Sequence, residues 1–253
     1  MNYKTINDDF ISQNNARILS SFKIQPRYVP EPQPDKYNNK LEKEPKKNEM
    51  NDNVKKWLWA VYTHQYKKTK TALYKLAGFS IGGTGKRAAE YCENNNLVKN
   101  IKPGFGSGSP QYPILLPEAY QILGIKEKKF YGKGAGYEHV LYQHLFAEHF
   151  SELKPVIELY RNGKHIDVAI ETNEILLGIE VAMTSVNEKE NIAKDFLKAM
   201  ADFVIVACIN DKVLKEVQEI ILEMPEQIRN KTQAYLLSKL LNKDPHKLIE
   251  NLK

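Results

Sequence analysis

His165-Ile166-Asp167-Val168-Ala169-Ile170 and Gly178-Ile179-Glu180-Val181-Ala182-Met183 decide the reading of this chain. Each run has the length of a β-strand, alternates apolar with polar or small residues, and carries one acid. A lone carboxylate in such a setting is costly to bury unless it is paired or bound to a cation. Two acids on consecutive, adjacent strands can share a metal ion.

The elements around these runs follow from pattern. Pro155-Val156-Ile157-Glu158-Leu159-Tyr160 precedes Asn162-Gly163, a strong hairpin signal leading into the Asp167 strand, and a turn near Thr172-Asn173 leads into the Glu180 strand. Ile192, Phe196, Leu197 and Met200 give residues 188–201 one apolar helical face. Phe203-Val204-Ile205-Val206-Ala207-Cys208 reads as a strand covered on both faces, and a helix carrying Val213, Leu214, Val217 and Ile220-Ile221 follows. Ala234-Tyr235-Leu236-Leu237 reads as a last strand. Upstream, a helix buries Val140, Leu141, Leu145 and Phe146 and bears His139, His144 and His149. These histidines stand five apart, without the i, i+4 spacing that presents two zinc ligands on one face, so they read as polar-face or packing residues. The order is α-β-β-β-α-β-α-β, helices covering a mixed sheet: an α/β (mixed α+β) domain over residues 127–253.

Residues 53–126 read differently. Val54, Trp57, Leu58 and Val61 form a helical stripe. A second helix, capped by Thr69 or Thr71, carries Leu73, Leu76 and Ala77 and closes at Gly78. A third, capped by Ser80 or Thr84, turns Ala88, Tyr91 and Cys92 inward. Strands at 97–102 and 112–116 flank a loop holding Gly104, Gly106 and Gly108, and Pro117-Glu118 opens a fourth helix. Gly83-Thr84-Gly85-Lys86 is not a phosphate-binding P-loop, because the first glycine is missing, Arg87 replaces Ser or Thr, and no strand precedes it. Residues 1–52 hold Pro26, Pro30, Pro32 and Pro34, then Lys40, Lys43, Lys46 and Lys47 among Asn and Glu. That segment reads as a flexible linker with a short docking element around Phe10-Ile11, Ile18-Leu19 and Phe22.

Composition excludes several classes. Hydrophobic residues at 42% and charged residues at 27% are those of a globular protein, and no apolar run approaches the ~18–20 residues of a membrane-spanning helix. No secretory signal is visible, and Cys92 and Cys208 stand far apart without a CxxC partner, so a cytoplasmic location with reduced thiols is expected. A net charge of +6 permits an anionic partner without demanding one.

Three helices followed by a hairpin resemble the winged helix-turn-helix family. The resemblance implies DNA binding through Lys86 and Arg87 on the first turn of the third helix, with Lys99 and Lys102 flanking the wing. Residues 130–240 resemble the PD-(D/E)xK nuclease superfamily, which includes restriction endonucleases and archaeal Holliday-junction resolvases. That resemblance implies a Mg²⁺ (or Mn²⁺) site made by Asp167, Glu180 and the carbonyl of Val181, with Glu138 from the first helix assisting. Ile166 stands where the family has proline, and Ala182 where it has lysine. Lys194 on the following helix is the candidate replacement and Lys189 the second, with Thr184 or Ser185 nearby. Three functional readings stand together: a metal-dependent DNA endonuclease, a catalytically inactive nuclease fold that binds DNA or dimerises, and an accessory subunit to a partner DNA-translocating ATPase of a mobile element.

Overall fold

In the computed structural model, the described residues are 52–80, 83–104, 108–127 and 136–252. The expected linker and docking element lie outside them.

The first helix, α1 (Asp52–His64), buries Val54, Trp57, Leu58, Ala60 and Val61, the stripe read from spacing. Helix α2 (Lys70–Leu76) is capped by Thr69, whose hydroxyl accepts the Ala72 N–H at 3.3 Å, and the chain leaves it through Gly78 at φ +74°. Helix α3 (Gly83–Asn94) buries Gly85, Ala88, Ala89 and Cys92. A Cβ on Gly85 would lie 2.6 Å from the Phe79 Cβ, so this glycine serves close packing of the helix on the preceding turn. Tyr91, read as inward, is exposed: an inward Cys92 puts its neighbour about 100° off the buried stripe. Strands β1 (Val98–Ile101) and β2 (Tyr112–Leu115) pair antiparallel from Val98↔Leu115 to Ile101↔Tyr112. Helix α4 (Pro117–Leu123) follows and ends on Gly124 at φ +66°.

A five-stranded sheet forms the second layer, in the order β3-β4-β5-β6-β7. Strands β3 (Val156–Arg161), β4 (Lys164–Glu171) and β5 (Leu176–Ala182) are antiparallel neighbours. Strands β6 (Phe203–Cys208) and β7 (Thr232–Leu236) extend the sheet in parallel from β5. The architecture is therefore mixed α and β, as expected. The β3–β4 turn has Asn162 and Gly163 both at positive φ, the conformation an Asn-Gly hairpin selects. Strand β5 is central and buried throughout, so its expected alternation gives way to burial on both faces.

Helix α5 (Tyr137–His149) covers one face, packing Tyr142 and Phe146 against Val168, Ile170, Leu177 and Ile179. Helices α6 (Glu188–Leu197) and α7 (Asp211–Leu222) cover the other, with Ile192, Val213 and Val217 against Ala169, Leu176, Val204 and Val206. Helix α6 is shorter than the expected 188–201. The Lys198 and Ala199 N–H groups both bond to the Lys194 carbonyl, and Met200 at φ +59° then turns the chain. Ala199 and Ala201 are buried there, while Leu197 and Met200, expected inward, face solvent. Short helices α8 (Glu226–Arg229), α9 (Leu237–Leu240) and α10 (Pro245–Glu250) complete the layers. Leu237 begins α9, so β7 runs over 232–236 rather than 234–237. No described helix is long and apolar enough to cross a membrane.

The expected boundary at 126/127 adjoins residues outside the described set, and the segments on either side share a core. Val140 and Leu141 on the far side of α5 pack with Tyr66, Ile101, Tyr112 and Ile114. His144 stacks on Tyr66 within this seam, ring centroids 5.6 Å apart. Burial, with Lys67 nearby, holds the His144 imidazole down to about 4. An unfolded histidine takes its proton near 6.5, so between those values the unfolded chain binds more protons and stability falls as pH falls. The ring is partly solvated, which limits the expected loss to the order of 1–2 kcal/mol. Urea midpoints compared at pH 7 and pH 4.5 should therefore converge in His144→Phe; an unchanged gap would assign the acid lability elsewhere.

Candidate functional site

Strand β4 changes phase at Asp167. Ile166 packs with Ile192 and Val204, whereas Val168 and Ile170 pack with Phe146 and Ile179 on the opposite face. Residues two apart on a regular strand share a face, so the strand is bent between them. Both ladders mark the same point. The β3–β4 register passes from Ile157↔Val168 to Leu159↔Ile166 with no 158/167 pair, and Glu158 lies at φ +54°. The β4–β5 register ends at Val168↔Ile179. Beyond it, the Val181 N–H donates to Asp167 Oδ2 at 2.7 Å, a side chain taking over where the backbone pairing stops. A positive φ on glutamate inside a strand is strain of the kind that collects at functional sites.

The other Asp167 oxygen points at α5. His139 Nε2 lies 3.1 Å from Oδ1, and Gln143 Nε2 donates to the same oxygen at 3.0 Å. Gln143 Nε2 also donates to Glu158 Oε1 at 2.6 Å and lies 3.1 Å from His139 Nε2. His139, Glu158 and Asp167 offer three potential metal-ligating atoms within 4.8 Å of one another.

Glu180, two residues after the Gly178 that packs on Ile166, faces the α6 side of the sheet. Its Oε1 lies 3.3 Å from Lys164 Nζ, and the same ammonium lies 3.3 Å from Asp195 Oδ1. Lys164 begins β4, three residues before Asp167, and its side chain is 10% exposed. Glu188 at the first turn of α6 is 6% exposed; its Oε1 accepts from Asn191 Nδ2 at 3.4 Å, and its Oε2 has no hydrogen-bond partner among the described residues. The cleft between these elements measures about 720 Å³, and its lining includes Lys99, Glu138, His139, Glu158, Lys164, Asp167, Glu180, Val181, Thr184 and Glu188.

Electrostatics separate this cleft from an ordinary polar surface. Burial, followed by Asp167 and Asp195, raises Glu180 well above the usual carboxylate range, and Lys164 only partly opposes this. Burial and then Asp167 push Glu188 up to about 7. Burial is the chief cause that brings Asp195 up to about 6, against the opposing ammonium of Lys164. Glu158 is raised by burial ahead of the lowering hydrogen bond from Gln143. Burial works against the charged form of His139, yet its contact with Asp167 wins and the imidazole is raised; Glu180 and Asp195 do the same for Lys164. The carboxylates Glu158, Asp167, Glu180, Glu188 and Asp195 outnumber the cations that reach them.

The structure brings together Asp167, Glu180, Val181 and Glu138 at one cleft, with Glu138 exposed at its rim. Val181 reaches Asp167 through its N–H. Lys194 is not the cation here: it pairs with Glu190 one turn back on the outer face of α6, and Lys189 pairs with Glu223. Ser185 points away as well, donating to Glu216 at 2.7 Å. Lys164 occupies the place beside Glu180 instead. Of the basic residues assigned to DNA, Lys86 is exposed and pairs with Glu90 at 3.6 Å, and Arg87 and Lys102 are exposed. Lys99 stands over the Tyr137 ring and lines the acidic cleft rather than a separate wing surface. Among the histidines, His149 bonds to the Lys243 carbonyl at 2.8 Å and His144 packs on Tyr66, but His139 belongs to the cleft.

Some residues of the cleft that the sequence reading passed over had left signals. Glu188, Ile192 and Asp195 follow an i, i+4, i+7 stripe, which plants two acids on the buried side of an amphipathic helix. His139 and Gln143 stand i, i+4 on α5. Comparison with protein-family models, with curated proteins and with solved structures gives no match to this chain.

Proposed function

We propose that the protein binds DNA and hydrolyses its phosphodiester bonds at the Asp167–Glu180 cleft with the help of a divalent metal ion. One observation carries the reading: a buried excess of carboxylates, including the unpartnered Glu188 Oε2, facing an open cleft whose rim supplies Lys99. Buried acids without enough cations either stay protonated or bind a metal, and clustered hard oxygen donors suit Mg²⁺ or Mn²⁺. The donor set therefore fits the ion. Asp167 would be the central ligand, and Glu180, Glu158 and Glu138 are within the same cleft. Such an ion, when bound, supplies hydroxide at neutral pH and offsets charge on the scissile phosphate. The chain's own groups do the rest. Lys164 keeps Glu180 and Asp195 in place, the Val181 N–H fixes the Asp167 carboxylate, and Lys99 offers a cation to an approaching phosphate.

The exposed Lys86 and Arg87 on α3 and Lys102 after β1 support a DNA-reading role for residues 53–126. Incubation of supercoiled plasmid and synthetic four-way junctions with Mg²⁺ or Mn²⁺ tests the reaction: metal-dependent nicking is expected. Protein that binds DNA but never nicks it would favour the second reading, an inactive fold kept for binding, dimerisation or recruitment by an ATPase of a mobile element. Lys86→Ala with Arg87→Ala should weaken duplex binding and flatten its salt dependence by about one unit for each phosphate no longer neutralised. Unchanged binding would assign this layer to protein docking.

A further inference from the structure

The amide nitrogen of Gln143 occupies an unusual position. It lies 2.6 Å from Glu158 Oε1, 3.0 Å from Asp167 Oδ1 and 3.1 Å from His139 Nε2. A side-chain amide has only two N–H groups, yet three potential acceptors converge on it. The His139 proton decides the outcome. With Nε2 protonated toward Asp167 Oδ1, that hydrogen and both amide hydrogens find acceptors and the N···N approach is a bare contact; with that proton gone, three acceptors face an amide with two hydrogens. Either way one short approach is not a hydrogen bond. Gln143 is buried and cannot shed the conflict to water. A cation at the point where these atoms converge would satisfy the imidazole nitrogen and both carboxylates at once.

Resting on the metal-dependent reading above, we propose that His139, Glu158 and Asp167 form a mixed nitrogen–oxygen metal site that selects a first-row transition ion such as Mn²⁺ over Mg²⁺. The three ligand atoms lie within 4.8 Å of one another, so small side-chain rotations bring them onto one ion. An independent feature points into the same cleft. Glu188, 6% exposed, has one carboxylate oxygen without a hydrogen-bond partner among the described residues. Glu188 and the three ligand residues line the same cleft. Imidazole suits the first-row transition ions better than Mg²⁺, which keeps oxygen ligands and much of its water shell; Mn²⁺ is the weakest binder of that row, so its retention against Mg²⁺ is the stringent case. Glu180 is left in its pairing with Lys164 and is not a ligand at this position. Gln143 is the placeholder that the ion displaces.

The test is Mn²⁺ binding by the full chain without DNA, followed by electron paramagnetic resonance. One ion per chain is expected, displaced by Mg²⁺ only at about 10-fold or greater excess. His139→Asn and Glu158→Gln should each weaken Mn²⁺ binding by at least about 10-fold, with thermal unfolding confirming that each variant is folded. Glu158→Gln keeps the side-chain shape, so it decides the matter if the histidine variant does not fold. Unchanged Mn²⁺ affinity in the folded variants overturns the site, as does displacement by equimolar Mg²⁺. Bound Mn²⁺ lost on His139→Asn, in protein that nicks no DNA, sustains the site and removes the nuclease reading. Nicking that survives His139→Asn while Glu180→Gln abolishes Mn²⁺ binding does the reverse.

Discussion

Asp167→Asn should reduce metal-dependent nicking by about 10²-fold or more, the scale seen when one group that stabilises developing charge is removed. Asp167 is the group that most of the cleft converges on. One oxygen meets His139 and Gln143, and the other receives the Val181 N–H at the point where the β4–β5 ladder ends. Asparagine keeps the shape but has a single acceptor oxygen. It must turn an NH₂ group either toward the Val181 N–H or toward Gln143, and each choice sets donor against donor. A folding cost of about 1–3 kcal/mol is therefore expected alongside the activity loss. Urea unfolding separates the two effects: a folded variant without nicking supports the assignment, and a folded variant that nicks as fast as the parent removes Asp167 from the reaction.

Lys164→Met carries the largest expected effect on stability. Lys164 is the cation that the buried Glu180 and Asp195 share, at 3.3 Å from each. Methionine fills similar volume but strands both acids, and breaking a buried pair from one side costs about 3–5 kcal/mol. The penalty comes from the acids left behind rather than from the lysine itself. Adding Glu180→Gln and Asp195→Asn should therefore restore much of the loss, because neutral amides need no counter-charge. The measurements are chemical-denaturation midpoints for the single and triple variants. Equal destabilisation in both would show that Lys164 contributes packing rather than charge. The variant also tests whether Lys164 serves where Ala182 leaves no lysine: the triple variant is compared with the Glu180→Gln, Asp195→Asn double variant, and a further loss of nicking in stable protein separates that role from its structural one.

Much of the architecture is legible in the sequence because periodicity and turn chemistry are local. The stripe of Val54, Trp57, Leu58 and Val61, the Asn162-Gly163 turn and the apolar run at 203–208 each declare their element without tertiary information. The carboxyl end of α6 misleads because Leu197 and Met200 keep the helical period, while the buried Ala199 and Ala201 carry little hydrophobic signal. At the site, Asp167 and Glu180 are visible as acids in apolar strands. Their partners are not, since proximity between Lys164 and Asp195, or between Gln143 and Glu158, depends on strand register and helix docking. A bend that resets the phase of β4 at a single residue leaves the alternating pattern on either side intact. Lys194 stands apart from Glu180 for the same reason: sequence order places it close to Glu180, and the helix turns it outward to Glu190.

Helix α5 has a mechanical consequence. Its Val140 and Leu141 are wedged against the β1–β2 hairpin side, while Tyr142 and Phe146 are wedged against the sheet. A rod gripped along two flanks cannot roll without prising one grip open. The aim of His139 is therefore set as much by Ile101, Tyr112 and Ile114 as by its own neighbours in the cleft. A load on the hairpin therefore bears on His139 through the packing of Val140 and Leu141 beside it.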